Sequence, residues 1–87
     1  MTNETQAYTP EQMKRFNELH KQLVEADANV ENYKTEPHLQ HPAVKKRFAM
    51  LVFGKYMQEY QQEVPQDIKD SFDFDVEGLA KKVSGLL

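Results

Sequence analysis

Two histidines and a glutamate lie close together in this sequence, with a spacing that metal ligands often have. His38 and His41 are three residues apart, and Glu36 precedes them; imidazole nitrogens and carboxylates are common zinc ligands. Both histidines stand beside prolines in a segment that we predict to be a linker, where polar residues are ordinary. No fourth ligand is in view, and a structural zinc site needs four. We therefore predict no metal site, with metal binding by this pair left open as an alternative.

A second stretch, DFDVEG at residues 73–78, carries acidic residues at the spacing of a calcium-binding loop. The twelfth position of such a loop should be a bidentate glutamate, and here it is Ser84. Capping of a final helix by Asp75 explains the same acids. Ser71 and Ser84 have no adjacent histidine, and there is no glycine-rich phosphate loop. The sequence therefore lacks the residue groups that nucleophilic and phosphoryl-transfer catalysis require. We predict a non-enzymatic protein without a cofactor.

The clearest charge feature is the basic cluster formed by Lys45, Lys46 and Arg47. It falls in the first turns of a predicted helix, where the positive end of the helix dipole disfavours cations by about 0.3–1 kcal/mol each. We therefore expect an anion to compensate. The interpretation we favour is pairing with Glu31 or Glu36, at the end of the preceding helix. The alternative is an anionic partner, either nucleic-acid phosphate or an acidic protein surface.

Composition restricts the classes of protein and partner. The chain has 87 residues, 39% of them hydrophobic and 29% charged, with a net charge of −3; these values predict one small folded domain and argue against nucleic acid as the main partner. There are no cysteines, which excludes disulfides and thiol chemistry and is typical of a reducing compartment. The first residues have neither a basic start nor an apolar stretch, so we expect no secretory signal and a cytoplasmic protein.

The spacing of the apolar residues predicts an all-α fold that positions these groups. Thr9 and Gln12 form a capping-box pattern at the start of a first helix, and Pro37 and Pro65 close the two long helices. No segment alternates as a strand does. We predict a flexible tail at residues 1–8 and a single helical domain at 9–87, a small bundle of two long antiparallel helices, about 10–35 and 42–63, with a short C-terminal helical pair, about 65–72 and 75–85.

The run FAMLVF, residues 48–53, is apolar on every side of a helix. A membrane span takes about 20 apolar residues, so this run must be covered by protein and we predict no membrane contact. The simplest expectation is that the second helix is central, packed between the first helix and the C-terminal pair. Helical spacing then puts Leu51 in one buried stripe with Val52, and Phe53 in another with Tyr60.

The first hypothesis for function is a small protein-interaction or regulatory module that acts through an apolar and aromatic helix face. We predict that Phe53, Tyr56, Met57 and Tyr60 form this partner-binding face, since methionine and tyrosine adapt well to partner surfaces. The partner is another protein or a second copy of the chain, because a homodimer would cover any part of the face that the chain leaves exposed. A core role for the same residues is the alternative.

The second hypothesis is weak nucleic-acid binding. Lys45, Lys46 and Arg47 would contact phosphates, helped by other bases such as Lys14 and Arg15. The acidic net charge makes this the less favoured function. The two hypotheses differ in their response to salt, because phosphate contacts weaken steeply as ionic strength rises and an apolar interface does not.

Overall fold

The computed structural model describes residues 8–87, and its regular structure is helical throughout. The predicted all-α class is confirmed, and no strand occurs in the part of the chain that is described. The predicted tail, residues 1–8, lies outside the described residues apart from Tyr8. The elements in chain order are α1 (Pro10–Thr35), a 3-10 turn (Pro37–Leu39), α2 (Pro42–Leu51), the π turn (Val52–Tyr56), α3 (Met57–Glu63), α4 (Gln66–Phe72) and α5 (Val76–Ser84).

Local signals set both ends of α1, as predicted. Thr9 Oγ1 accepts a hydrogen bond from the backbone N–H of Gln12 at 3.0 Å, and Gln12 Oε1 accepts one from the backbone N–H of Thr9 at 2.8 Å. This capping box satisfies N–H groups that a helix start leaves without partners. At the other end Glu36 is extended, with φ −80° and ψ 120°, because Pro37 disfavours helical geometry in the residue before it.

One hydrophobic core joins α1 to the later elements. α1 packs against α5, α3 and the π turn, so it is the element that the others share, and the expectation that the second helix is central is wrong. α1 takes this place because its apolar residues form one unbroken stripe along a single face. The buried core residues are Phe16, Leu19, Leu23, Ala26, Val30, Phe48, Ala49, Val52, Met57, Tyr60, Val64, Leu79, Val83 and Leu86.

Long-range contacts fix how α1 lies against the second helical stretch. Near the start of α1, Arg15 Nε lies 2.9 Å from Oε1 of Glu63 at the end of α3. Near the end of α1, the Tyr33 ring stacks on Phe48 of α2 with the ring centroids 4.2 Å apart. α5 packs on α1 as well and has no comparable contact with α2. Among residues 8–87, no helix therefore covers the side of α2 that faces away from α1.

The π turn changes which side chains of the second stretch face the core. The backbone N–H of Met57 donates to the carbonyl of Val52, five residues back, which is the hydrogen-bond pattern of a π-helix. Val52 is 0% and Met57 9% exposed, so the buried stripe contains a step of five residues. An unbroken α-helix has only steps of three and four. Leu51 lies before the turn and is predicted in the buried stripe of Val52, but it is 39% exposed, because Phe48, Ala49 and Val52 are the residues of this stretch that face the core.

An aromatic cluster joins α1 to α4. The ring of His20 stacks on Phe72 with the centroids 4.1 Å apart and meets the edge of Phe74 at 5.8 Å. Partial burial lowers the pKa of His20, because the charged imidazolium loses solvation there. The hydroxyl of Tyr8 donates to Asp67 Oδ1 at 3.0 Å. The beginning of the described chain is thus also held against α4.

Candidate protein-docking groove

An open groove of about 560 Å³ lies along α2 and the π turn. Its floor includes Ala49, which is 1% exposed, and its sides include Met50, which is 63% exposed, and Leu87, which is 74% exposed. The space is therefore apolar and accessible from outside. The residues that line it are Lys46, Ala49, Met50, Phe53, Gly54, Gln58 and Leu87.

Helical spacing explains why these side chains share one side of the molecule. Residues three and four apart lie on the same face of an α-helix, and Lys46, Met50 and Gly54 follow one another at steps of four. Ala49 and Phe53 form a second row beside the first, also at a step of four. The two rows together make a strip along the helix. They begin in α2 and continue into the π turn, on the side that no other helix of the described chain covers.

Exposed apolar side chains concentrate at this groove. Among residues 8–87 the large apolar side chains that are exposed are Val24, Met50, Leu51 and Leu87. Met50 and Leu87 both line the groove although they are far apart in the sequence. A single exposed apolar residue is ordinary, but apolar residues grouped around a concavity are typical of binding sites.

Gly54 keeps the groove open at its centre. Apart from the glycine, its two neighbours and the nearby backbone of its own helix, no atom of the described chain lies within 4 Å of the position that a Cβ would take there, and the φ of this glycine is not positive. Neither crowding within the chain nor backbone geometry therefore requires glycine. What its missing side chain provides is access to the helix backbone from the groove. The residue lies in the π turn, and π segments are frequently found at functional sites.

One end of the groove is positively charged. Lys46 lines the groove, and it also lines an adjoining hollow of about 330 Å³ together with Lys45 and Pro42. Leu87 lines both spaces as well, so the two hollows lie side by side. Arg47 is exposed at the next position of the helix. The apolar surface thus ends in the basic cluster at the start of α2.

The predicted pairing of the basic cluster with Glu31 or Glu36 is wrong. Within residues 8–87 no carboxylate oxygen lies within 4.0 Å of a nitrogen of the cluster. For Glu31, which lies in α1, the physical reason is the rotation of α1 about its axis, which the buried stripe fixes. Lys82 of α5 has its pKa raised by a hydrogen bond from its ammonium to Asp27, and also by the charge of Glu31. Glu31 is thus near enough to α5 to act on Lys82, and Glu36 lies 3.9 Å from the imidazole of His38.

The structure separates the four predicted partner-binding residues. Phe53 is half-buried and lines the groove. Tyr56 is half-buried too, but it lines a smaller cleft of about 180 Å³ between α1 and the π turn. Met57 and Tyr60 are 9% and 1% exposed, so they lie in the core beneath the surface. Joint action of the four on a partner stays a prediction, and Phe53 and Tyr56 are the two with appreciable accessible surface.

Met50 and Leu87 are the residues that sequence reasoning misses. A signal for Met50 exists, because it lies inside the apolar run yet belongs to neither predicted buried stripe. An apolar residue that the helical period leaves out of the core is a candidate for an exposed contact. For Leu87 the sequence has no such signal. Its place beside Met50 depends on how the residues after α5 return toward α2.

The candidate metal ligands make other contacts. His41 Nδ1 accepts a hydrogen bond of 3.1 Å from a backbone N–H in the first turn of α2, so this imidazole is the N-cap of the helix. His38 Nδ1 lies 3.9 Å from Oε1 of Glu36. Asp75 caps α5 as predicted, through a hydrogen bond of 2.9 Å. In the described part of the chain no three side chains of His, Cys, Asp or Glu gather as a metal ion would require.

Arg15, which the nucleic-acid hypothesis includes, is engaged within the chain. Its Nε and Nη2 donate to the two carboxylate oxygens of Glu63 at 2.9 and 3.0 Å, and Glu59 Oε1 lies 3.7 Å from Nη2. The hydrogen bonds to Glu63 raise the pKa of Arg15 and lower that of Glu63. Arg15 thus lies beside the end of α3, whereas the basic cluster lies at the start of α2.

Comparison with known proteins gives no relative from which a function could be transferred. No protein-family model matches the chain, and neither a curated protein nor a solved structure matches it. Among residues 8–87, none of the helices combines the length and the apolar character needed to cross a membrane. The site must therefore be interpreted from its own geometry.

Proposed function

We propose that this chain is a small, non-enzymatic protein-interaction or regulatory module, and that the groove along α2 and the π turn is its docking surface. The observation that carries the proposal is the exposure of Met50 and Leu87 around a shared concavity. Phe53 supplies the aromatic contact. We assign the protein to the cytoplasm, because a chain without cysteine suits a reducing compartment.

The expected energy of docking follows from the exposed apolar surface. Complete burial of a leucine or methionine side chain is worth about 1.5–3 kcal/mol relative to leaving it exposed. Met50 is 63% exposed, so covering the rest of its surface supplies about 1–2 kcal/mol. A loss of about 1.4 kcal/mol corresponds to a tenfold change in affinity. The effect of a single substitution at Met50 on the affinity for the partner should therefore be measurable.

The proposal is tested by placing a photo-crosslinking amino acid at position 50 in the host cell and identifying the protein it captures. The captured protein is then purified, and its affinity is measured for the wild type, Met50→Asp and Val24→Asp. Val24 is a matched control because it is also an exposed apolar helix residue, 42% exposed, and it does not line the groove.

We expect Met50→Asp to weaken binding by about tenfold or more, since it removes apolar contact and adds a charge that must be desolvated. Val24→Asp should leave the affinity unchanged. Circular dichroism of both variants verifies that they remain folded. Equal affinities for the wild type and Met50→Asp would show that the groove is not the docking surface.

A second function, nucleic-acid binding, has one observation in its favour. The basic cluster is without a carboxylate within 4.0 Å in residues 8–87. Titration with single-stranded and duplex oligonucleotides at several salt concentrations tests it, because each phosphate contact adds to the slope of log affinity against log salt. Three contacts predict a slope of about −2 to −3. No binding at low salt would dismiss this function.

A further inference from the structure

We infer that the ligand of the groove is an acidic, amphipathic helical segment of a partner protein, an inference that rests on the proposed docking function. Apolar side chains of this segment would cover Met50, Phe53 and Leu87. Its carboxylates would meet Lys46 and, in the adjoining hollow, Lys45. The inference thus adds the charge and the shape of the partner to the proposed function.

The charge of the partner follows from the basic cluster. Lys46 lines the groove, and Lys45 lines the adjoining hollow. Both lie in the early turns of α2, where the helix dipole already disfavours cations. The first turn of α2 contains no acidic residue, and the described chain brings no carboxylate within 4.0 Å of the cluster. An external carboxylate would supply the missing counter-charge.

The shape of the partner follows from the row of lining residues. The groove runs from Lys46 to Gln58 along the helix, which is about 18 Å at 1.5 Å per residue. A partner helix of about three turns has the same length. Gly54 lies near the middle of the row, and no side chain of residues 8–87 other than those of its two neighbours lies within 4 Å of its Cβ position. A side chain of the partner helix can therefore approach the backbone closely at this point.

Nucleic acid fits this surface less well than an acidic helix does. Phosphates would neutralise the basic cluster, but they would leave Met50 and Leu87 in water. These two side chains are 63% and 74% exposed and lie beside Lys46. A ligand that carries apolar groups and negative charge together satisfies both halves of the site.

A second copy of the chain also fits less well. In a twofold-symmetric contact centred on the groove, each copy presents the same set of residues to the other. The lining residues of the groove include no aspartate or glutamate, so a second copy would bring no lining side-chain carboxylate to Lys46. A contact between the groove and a different face would leave one groove open and would not close the assembly.

The test uses synthetic peptides of about 14 residues, somewhat longer than the three turns that the groove accommodates. The first peptide is an amphipathic helix with leucine at helical spacing and glutamate on the remaining positions. The second has lysine in place of each glutamate, and the third has serine in place of each leucine. Fluorescence anisotropy gives their affinities for the full chain, and amide chemical shifts of the labelled protein locate the contact.

We expect the acidic amphipathic peptide to bind about tenfold or more tightly than either of the others, because only it matches both the apolar surface and the charge. The amide shifts should centre on residues 46–58 and on Leu87. Lys46→Glu should weaken the binding of the acidic amphipathic peptide by about fivefold or more and strengthen the binding of the lysine peptide, since it reverses the charge at the groove.

Lys14→Glu is the control, because it changes the net charge equally but lies in the first turns of α1. It should leave the peptide affinities unchanged beyond a small long-range effect. Unfolding does not explain a loss of binding in Lys46→Glu, since glutamate suits the N-terminal part of a helix better than lysine does. Circular dichroism of the two variants provides the comparison.

The other outcomes overturn the inference in different ways. Equal binding of the acidic and basic peptides would refute the charge requirement and leave the docking function standing. An oligonucleotide and decanoate, an anion with an apolar chain, serve as probes for nucleic-acid and lipid-like ligands. If either binds more tightly than the acidic peptide, the groove belongs to that ligand class. Self-association that Met50→Asp abolishes would identify the second copy as the occupant. No peptide binding, together with no effect of Met50→Asp on the captured partner, would refute the docking function as well.

Discussion

Replacement of Gly54 by alanine should stabilise the fold. Gly54 lies inside the continuous helical stretch formed by α2, the π turn and α3. Glycine in a helix interior costs about 0.5–1 kcal/mol relative to alanine, because it has more backbone freedom to lose on folding. Outside the glycine, its neighbours and the nearby helix backbone, no atom of residues 8–87 lies within 4 Å of the position that the new Cβ would take, so no clash offsets this gain. We expect the free energy of unfolding to rise by about 0.5–1 kcal/mol.

Gly78→Ala is a matched control in which a clash opposes the same gain. Gly78 is also helical, in the first turn of α5, but a Cβ there would collide with Asp75 Oδ2 and lie 2.8 Å from its Cγ. Asp75 is the N-cap of α5, and its carboxylate would have to turn away. Loss of a cap costs about 0.5–2 kcal/mol. The two variants should therefore differ in stability by about that amount, with Gly54→Ala the more stable.

Urea denaturation followed by far-ultraviolet circular dichroism measures both effects. For a slope of about 1 kcal/mol per molar urea, typical of a small protein, Gly54→Ala should move the midpoint up by about 0.5–1 M with the slope unchanged. A lower midpoint for Gly54→Ala at unchanged slope would refute the reasoning. It would mean that the π turn needs glycine for a reason other than open space.

Three further predictions concern single contacts. His20→Phe should remove part of the pH dependence of stability. Because the pKa of His20 is lowered in the folded state, the wild type loses stability as the pH falls below about 6.5, where the histidine of the unfolded chain takes up its proton first. Thermal melts of both proteins at several pH values would show the difference. His41→Ala should destabilise the fold by about 0.5–2 kcal/mol and His41→Asn by much less, because asparagine also caps helices; equal urea midpoints for the two would contradict this role. Glu63→Gln, which removes the charge, should destabilise the fold at neutral pH and have no effect in strong acid. The lowered pKa of Glu63 means that its carboxylate stabilises the folded state, and this stabilisation is lost as the pH falls through that pKa. Acid titration of both proteins, followed by circular dichroism, is the measurement.

The ends of the helices could be predicted from the sequence because they depend on neighbouring residues. The capping box of Thr9 and Gln12 and the cap by Asp75 each involve residues three apart. The effect of Pro37 on Glu36 is more local still. Such interactions form in the same way in any fold that contains the segment. The all-α class follows from them together with the helical spacing of the apolar residues.

The groove could not be predicted in the same way, for two physical reasons. The π turn adds a residue to the period of the second helix, and this brings Met57 into the core five residues after Val52. No local signal in the sequence distinguishes this turn from an ordinary α-helical one. The second reason is that α5 packs against α1 and not over α2. That choice depends on the whole core, and it decides which side of α2 stays open around Met50.

The π turn also has a consequence for how this sequence tolerates insertions and deletions. The core uses Val52 and Met57, and an ordinary α-helix brings residues four apart onto one face. A chain shorter by one residue between these two positions could thus keep both in the core without any π turn. The extra residue falls on the outer side, in the segment that carries Phe53 and Gly54 into the groove. In an alignment of descendants of this sequence, a one-residue gap at 53–56 would mark chains that retain the bundle but have rebuilt the binding strip.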